Sequence, residues 1–212
     1  MTTKIHLLRH GEVENPDNVI YERLPDFHLS ERGRQMAEVI ASFITSTDDL
    51  KRISAIYSSP LTRTLETAAP SSRLLGDLDV KTDDRLIESW SNFRGLNVQD
   101  ELRAMARRRE FKKLFTLMSN PTLPSWGEHY VDIAKRMSNA INDIKASHMG
   151  ESVLIVSHQS PIWCVRRFFE GRTPKHNVKK RVCSLASITT LEFNDDANEL
   201  TKVCYRTPAA SV

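Results

Sequence analysis

The sequence predicts an α/β fold with three layers, α/β/α, around a mostly parallel central sheet. Apolar, β-branched runs alternate along the chain with segments of helical periodicity, the pattern of strands joined by crossover helices. Three of those runs, at 4–10, 53–59 and 152–158, are nearly all apolar, as strands covered on both faces must be. The length agrees: 212 residues, 40% hydrophobic and 27% charged, suit one α/β domain spanning 1–212.

Taken in order, the first strand is "KIHLLRH" (4–10). A helix is expected over 30–46, where Met36, Val39, Ile40, Phe43 and Ile44 recur at helical spacing and Ser30 is placed to cap the N-terminus. The second strand is "ISAIYSS" (53–59), followed by a shorter helix over 61–75 that begins beside Pro60. A weaker strand covers about 79–86. Residues 91–126 break the alternation with an Arg-rich helix and the Pro-rich connector "SNPTLPSW", read as an insertion over the sheet and the cleft. A helix over 127–147 is marked by Tyr130, Ile133, Ala134, Met137, Ile141 and Ile144. Then come the fourth strand, "SVLIVSH" (152–158), a helix over 160–170 with Pro161 near its start, and strands at 184–193 and about 200–206.

Several function classes are excluded by what the chain lacks. No stretch approaches the roughly 18 apolar residues of a membrane span. The N-terminal "MTTKIHLLRHGE" has no long apolar segment and no small-residue cleavage site, so a cytoplasmic protein is expected. Cys164, Cys183 and Cys204 are odd in number and lack CxxC spacing, which reads as reduced thiols. A net charge of +3 does not argue for nucleic acid as a partner. The charge is uneven: "RAMARRREFKK" (103–113) is either a solvated helix face or a rim that attracts an anion. Nothing selects between monomer and homodimer.

Ligands of open α/β sheets bind outside the carboxyl ends of the strands. Here the first strand ends in Arg9-His10. The second runs into "SSPLTRT", which places Arg63 in the first turn of a helix. The fourth ends in Ser157-His158-Gln159, and Glu88 follows the third in "RLIESW". Each residue alone reads as a solvated or hydrogen-bonded surface group. Together they put two fixed cations, two imidazoles and a carboxylate at one edge. Cys164 reads as a packing residue, since no thiolate-stabilising pattern flanks it. A metal nest on His10 and His158 is the competing reading, but no third ligand stands at a suitable strand end.

These segments resemble the histidine phosphatase superfamily, which includes cofactor-dependent phosphoglycerate mutases. "LLRHGE" is similar to the family's signature, "YSSPLTRTLETA" to its second-arginine segment, "LIESWSNFRGL" to its acid-donor stretch and "VLIVSHQSPI" to the stretch with its second histidine. "DFHLSERGRQMA" and "WGEHYVDIAKRM" resemble two further family segments, the latter with His129 where serine is common. The resemblance implies a phosphoglycerate mutase-like fold over about 4–170. It also implies a metal-independent, cofactor-free phosphomonoester hydrolase that works through a phosphohistidine on a small phosphorylated metabolite.

By that resemblance His10 is the nucleophile. Arg9, Arg63 and His158 bind the phosphoryl oxygens, and Glu88 protonates the leaving oxygen and then activates water. Asn15 and Gln159 are further candidates for substrate contact. The family's RHG-x-T-x-x-N reads here as RHGEVENP, with Val13 for threonine, Pro16 in the asparagine position and Asn15 one residue early; Gln159-Ser160 follows His158 where glycine is common. These departures bear on the substrate. A mutase-type phosphoryl transferase is the alternative, and a non-catalytic protein that binds phosphorylated ligands is the second. The family's mutases carry a longer insertion after the acid donor and a longer tail, which favours hydrolysis.

Overall fold

The computed structural model describes residues 1–97, 99, 100, 103 and 127–212. Most of the expected insertion at 91–126, and the basic stretch 103–113 apart from Arg103, lie outside the described residues.

Six strands form one mixed, mostly parallel sheet in the order β3-β2-β4-β1-β5-β6. They are β1 (Thr2–Arg9), β2 (Ile53–Ser58), β3 (Val80–Thr82), β4 (Ser152–Ser157), β5 (Ile188–Asn194) and β6 (Glu199–Arg206). The four at β3-β2-β4-β1 run parallel, whereas β5 lies antiparallel on β1 and β6 antiparallel on β5. The helices whose full length lies among the described residues are α1 (Glu31–Ser46), α2 (Thr62–Leu74), α3 (Tyr130–Ser147) and α4 (Gln159–Phe169). Among the described helices none is long and apolar enough to cross a membrane.

Strand side chains point alternately to the two faces, and each face buries its own cluster. Ile5 and Leu7 of β1 join Val153 and Ile155 of β4 and the inner faces of α3 and α4. Leu8, Leu154, Val156 and Ile56 point the other way, against Met36, Ile40 and Ile44 of α1 and Ala68 of α2. Two separate cores across one sheet are what the continuous apolar runs required.

Three boundaries differ from expectation. The strand expected over about 79–86 pairs only at Val80–Thr82, and Asp84–Leu86 forms a 3-10 turn capped by the Asp83 carboxylate. The strand expected from 184 begins at Ile188. Residues 184–187 turn instead, with Ala186 at φ +49° and the Ser187 N–H donating to the Ser184 carbonyl. The helix expected from 127 starts at Tyr130. Other local readings match: the Ser30 side chain accepts from the Gly33 N–H at the head of α1, and Pro161 sits in the first turn of α4, where a missing N–H costs nothing.

Register decides function. Arg9 lies opposite Ser157, and Ser58 opposite Val156, so the carboxyl ends of β1, β2 and β4 finish at one level.

Candidate active site

The end of β1 is tied on three sides. Backbone N–H groups of Arg9 and His10 donate to the carbonyls of Ser187 and Ser157, and the Gly11 N–H donates to Thr67 Oγ1 of α2 at 3.1 Å. The chain then passes so close to the head of α1 that a Cβ on Gly33 would lie 2.0 Å from the Glu12 carbonyl oxygen. One on Gly11 would lie 2.7 Å from that of Gly33. Both glycines are therefore steric requirements of the approach. Glu12, last residue of "RHGE", faces away from the site chemistry: its carboxylate accepts from Ser30 Oγ and Arg32 Nη1, both at 2.8 Å.

His10 is buried, and its Nδ1 donates to the Gly11 carbonyl at 2.8 Å. A carbonyl can only accept, so the proton sits on Nδ1 and the lone pair on Nε2. Burial, and then the charges of Arg9 and Arg63, hold the imidazole pKa well below 6.5. A neutral imidazole with a defined tautomer is what a nitrogen nucleophile needs.

The His158 ring lies 5.2 Å from that of His10, centroid to centroid. Arg63 Nη2 donates to its Nδ1 at 3.3 Å, so its own proton is on Nε2, which donates to Ser59 Oγ at 2.8 Å. Burial is again the main reason its pKa lies well below 6.5, followed by Arg63 and His10. Arg63 is almost wholly buried, donates to the Glu22 carbonyl and lies 4.8 Å from the centroid of the Tyr21 ring. Its Nε, like that of Arg9, is buried without a partner among the described residues. Arg9 Nη1 donates to the Cys183 carbonyl at 2.8 Å. A buried and a half-buried arginine beside two neutral imidazoles form a pocket suited to a tetrahedral oxyanion.

Glu88 joins the same group. Ser157 Oγ donates to the Leu86 carbonyl at 2.7 Å, pinning the 86–89 segment to the end of β4, and Arg23 Nε donates to the Glu88 carbonyl at 2.6 Å. Glu88 Oε1 accepts from the Ser89 N–H at 2.8 Å. Its charge acts on both Arg63 and Tyr21. So His10, His158, Arg9, Arg63 and Glu88 converge as the strand ends implied. Asn15 and Gln159 have other partners in this structure. Asn15 closes its own turn through Val19, donating to its carbonyl and accepting from its N–H. Gln159 Nε2 donates to the Cys183 carbonyl at 3.3 Å. Cys164 and Cys183 are buried thiols pushed up to about 12 and about 11 by desolvation, too high for nucleophiles. Among the described residues no three His, Cys, Asp or Glu side chains cluster as metal ligands.

Four residues escaped the sequence reading. Tyr21 leans on Arg63 and stacks on Phe27, with ring centroids 5.2 Å apart. Glu22 sits at φ +33° and is held there twice, its carbonyl by Arg63 and its carboxylate by the Ser91 N–H at 2.6 Å. Arg23 bridges the Glu88 carbonyl and the Glu128 carboxylate. Ser59 sets the His158 ring. Only Ser59 left a trace, as a polar residue at a strand end; the other three lie on a loop without periodicity.

A family model described as the histidine phosphatase superfamily (branch 1) matches residues 5–205. The chain is 42% identical to the uncharacterized protein Rv0525 of Mycobacterium tuberculosis, with 98% of each chain covered. It is 29% identical to phosphoserine phosphatase 1 of Hydrogenobacter thermophilus over 75% of this chain and 72% of that one. The solved structure of YhfR from Bacillus stearothermophilus superposes with a TM-score of 0.77 at 26% identity, covering 94% of both chains.

Proposed function

Because this chain belongs to the histidine phosphatase superfamily, we propose that it hydrolyses a small phosphate monoester through a phosphohistidine on His10, without a metal. The observation that carries the proposal is the His10 tautomer: Nδ1 spent on the Gly11 carbonyl, Nε2 unprotonated, burial and two arginines keeping it so.

In the first step Nε2 attacks phosphorus and the P–O bond to the alcohol breaks. Glu88, in its acid form, gives its proton to the departing oxygen. Arg9 and Arg63 take the charge that spreads over the three remaining oxygens, joined by the Nε2–H of His158 as it turns from Ser59 Oγ to the nearest of them. In the second step the Glu88 carboxylate removes a proton from water as it attacks the phosphohistidine. Inorganic phosphate leaves, and His10 and Glu88 return to their starting forms.

Hydrolysis is preferred to mutase-type transfer because a relative alike over three quarters of this chain is named a phosphatase. Rapid-quench turnover of p-nitrophenyl phosphate should show a burst of nitrophenol equal to the enzyme present, together with acid-labile protein-bound phosphate. In His10→Ala both should vanish while inorganic phosphate still binds. Near-native turnover in that variant would remove the assignment. If added phosphoglycerate, rather than water, takes the phosphoryl group from the enzyme, the reaction is a mutase transfer. Phosphate-ester binding without any turnover by the wild type would leave the non-catalytic reading.

A further inference from the structure

The segment that follows α4 has no part in the chemistry at His10. Residues 172–182, "RTPKHNVKKRV", carry Arg172, Lys175, Lys179, Lys180 and Arg181 and no acidic residue. The segment returns to the sheet beside the site: the Cys183 carbonyl, two residues beyond Arg181, accepts from both Arg9 Nη1 and Gln159 Nε2.

Arg181 does not dangle from this segment. Its Nε donates to His176 Nε2 at 2.8 Å and its Nη2 to Tyr130 Oη at 3.4 Å, with the guanidinium carbon 5.8 Å from the Tyr130 ring centroid. His176 is itself fixed. Its ring lies 4.3 Å from that of Tyr130, and its Nδ1 donates to the Pro174 carbonyl at 2.6 Å. With the proton on Nδ1, Nε2 must accept from Arg181. Burial takes the His176 pKa down to about 4, so that acceptor persists at neutral pH.

Tyr130 opens α3 two residues after Glu128, which binds Arg23 and through it the Glu88 segment. The charges of Arg181 and Glu88 accordingly both act on the buried Cys164 thiol. Three arginines thus gather around Glu128 and Tyr130, next to the Glu88 segment. Arg23 and Arg136 are both paired with Glu128, whereas no Asp or Glu pairs with Arg181 among the described residues. A solvated surface arginine has no use for a neutral imidazole behind it and a tyrosine beneath it. Those contacts already hold the side chain in place, so an anion that binds the guanidinium is spared the rotamer entropy of ordering it.

We infer that Arg181 binds a second oxyanion of the substrate, a carboxylate or a further phosphate, with His176 as its positioning residue. This rests on the hydrolase reading and adds a substrate class to it: phosphate monoesters that carry another anionic group within reach of the reacting phosphate. The planar fork, with Nε already spent, offers its remaining Nη hydrogens to two oxygens of one group.

The test uses matched pairs that differ only in the second anion, phosphoserine against phosphoethanolamine and glucose 1,6-bisphosphate against glucose 6-phosphate. p-Nitrophenyl phosphate reports the folded, active enzyme. Wild type should favour the doubly anionic member of one pair, and which pair responds tells carboxylate from phosphate. Arg181→Met should lower kcat/KM for that member by about ten- to a hundredfold, mainly through KM, as expected for a lost hydrogen bond to a charged group. The singly anionic member and p-nitrophenyl phosphate should stay within about threefold. His176→Phe keeps a ring on Tyr130 without the acceptor and should give a smaller loss of the same kind. If Arg181→Met does not fold, Arg181→Lys, which keeps charge without the fork, should show a reduced version of the same split. Equal treatment of both members by the wild type, or equal losses on every substrate in the variants, overturns the subsite alone. Wild type inert even toward p-nitrophenyl phosphate overturns the hydrolase reading and the subsite together.

Discussion

His6 sits in the middle of β1, the strand that ends in Arg9 and His10. It is fully buried between β4 and β5; Nδ1 is 2.9 Å from Thr190 Oγ1 and Nε2 has no partner among the described residues. Burial, with Lys4 and Arg206 adding to it, lowers its pKa from 6.5 to about 3. In the unfolded chain the same imidazole takes up its proton near pH 6.5. Between those two values the unfolded state binds more protons than the folded state, so stability falls as pH falls. The cost is about 1.4 kcal/mol per pH unit, so His6 alone removes about 2 kcal/mol on going from its unfolded pKa to about pH 5. His10, His158 and His176 are also lowered and push in the same direction.

The perturbation that isolates His6 is His6→Leu, which cannot titrate. Urea unfolding of wild type and variant at about pH 7.5 and about pH 5 yields the loss for each protein. The wild-type loss should exceed the variant's by about 2 kcal/mol, whatever the variant's stability at the higher pH. Equal losses within about 0.5 kcal/mol would refute the reasoning, since they would mean that the folded protein accepts the proton in β1. The variant should also keep p-nitrophenyl phosphate activity to lower pH if acid inactivation is unfolding of the strand that carries Arg9 and His10.

Glu88→Gln should slow alkyl phosphates by about a hundredfold or more while p-nitrophenyl phosphate, whose leaving group needs little protonation, is much less affected; an equal loss on both would count against proton donation. Gly33→Ala drives a Cβ into the Glu12 carbonyl, so thermal melting should show a loss of about 1–3 kcal/mol together with reduced turnover. A variant as stable and active as wild type would show that the two loops can part freely. Ser59→Ala leaves the buried Nε2–H of His158 without its acceptor. kcat/KM should fall about tenfold, while a variant equal to wild type would mean that Ser59 does not orient the ring.

The sequence by itself determined the layered α/β architecture, because burial on both faces forces continuous apolar runs, as in "SVLIVS" at β4. It also determined which side chains meet, since Arg9, His158 and Arg63 stand at strand ends or in the first turn of the following helix, and parallel register brings such ends to one level. Short-range turns were decided elsewhere. The expected strand ran on to about 86, yet an Asp83 cap and the Ser157 contact to Leu86 turn the chain at 83–87 toward the site. Only tertiary structure decided the protonation of the two histidines, because each tautomer is set by a partner distant in sequence or by one carbonyl direction: Gly11 for His10, Arg63 and Ser59 for His158. The same holds for Tyr21, Glu22 and Arg23. Their loop has no period to read, and their places depend on Arg63, Ser91 and Glu128, which lie 42, 69 and 105 positions further along the chain. Hydrophobic periodicity is a local property of a chain, whereas a hydrogen-bonded site is a property of chain segments that meet only once the core has formed.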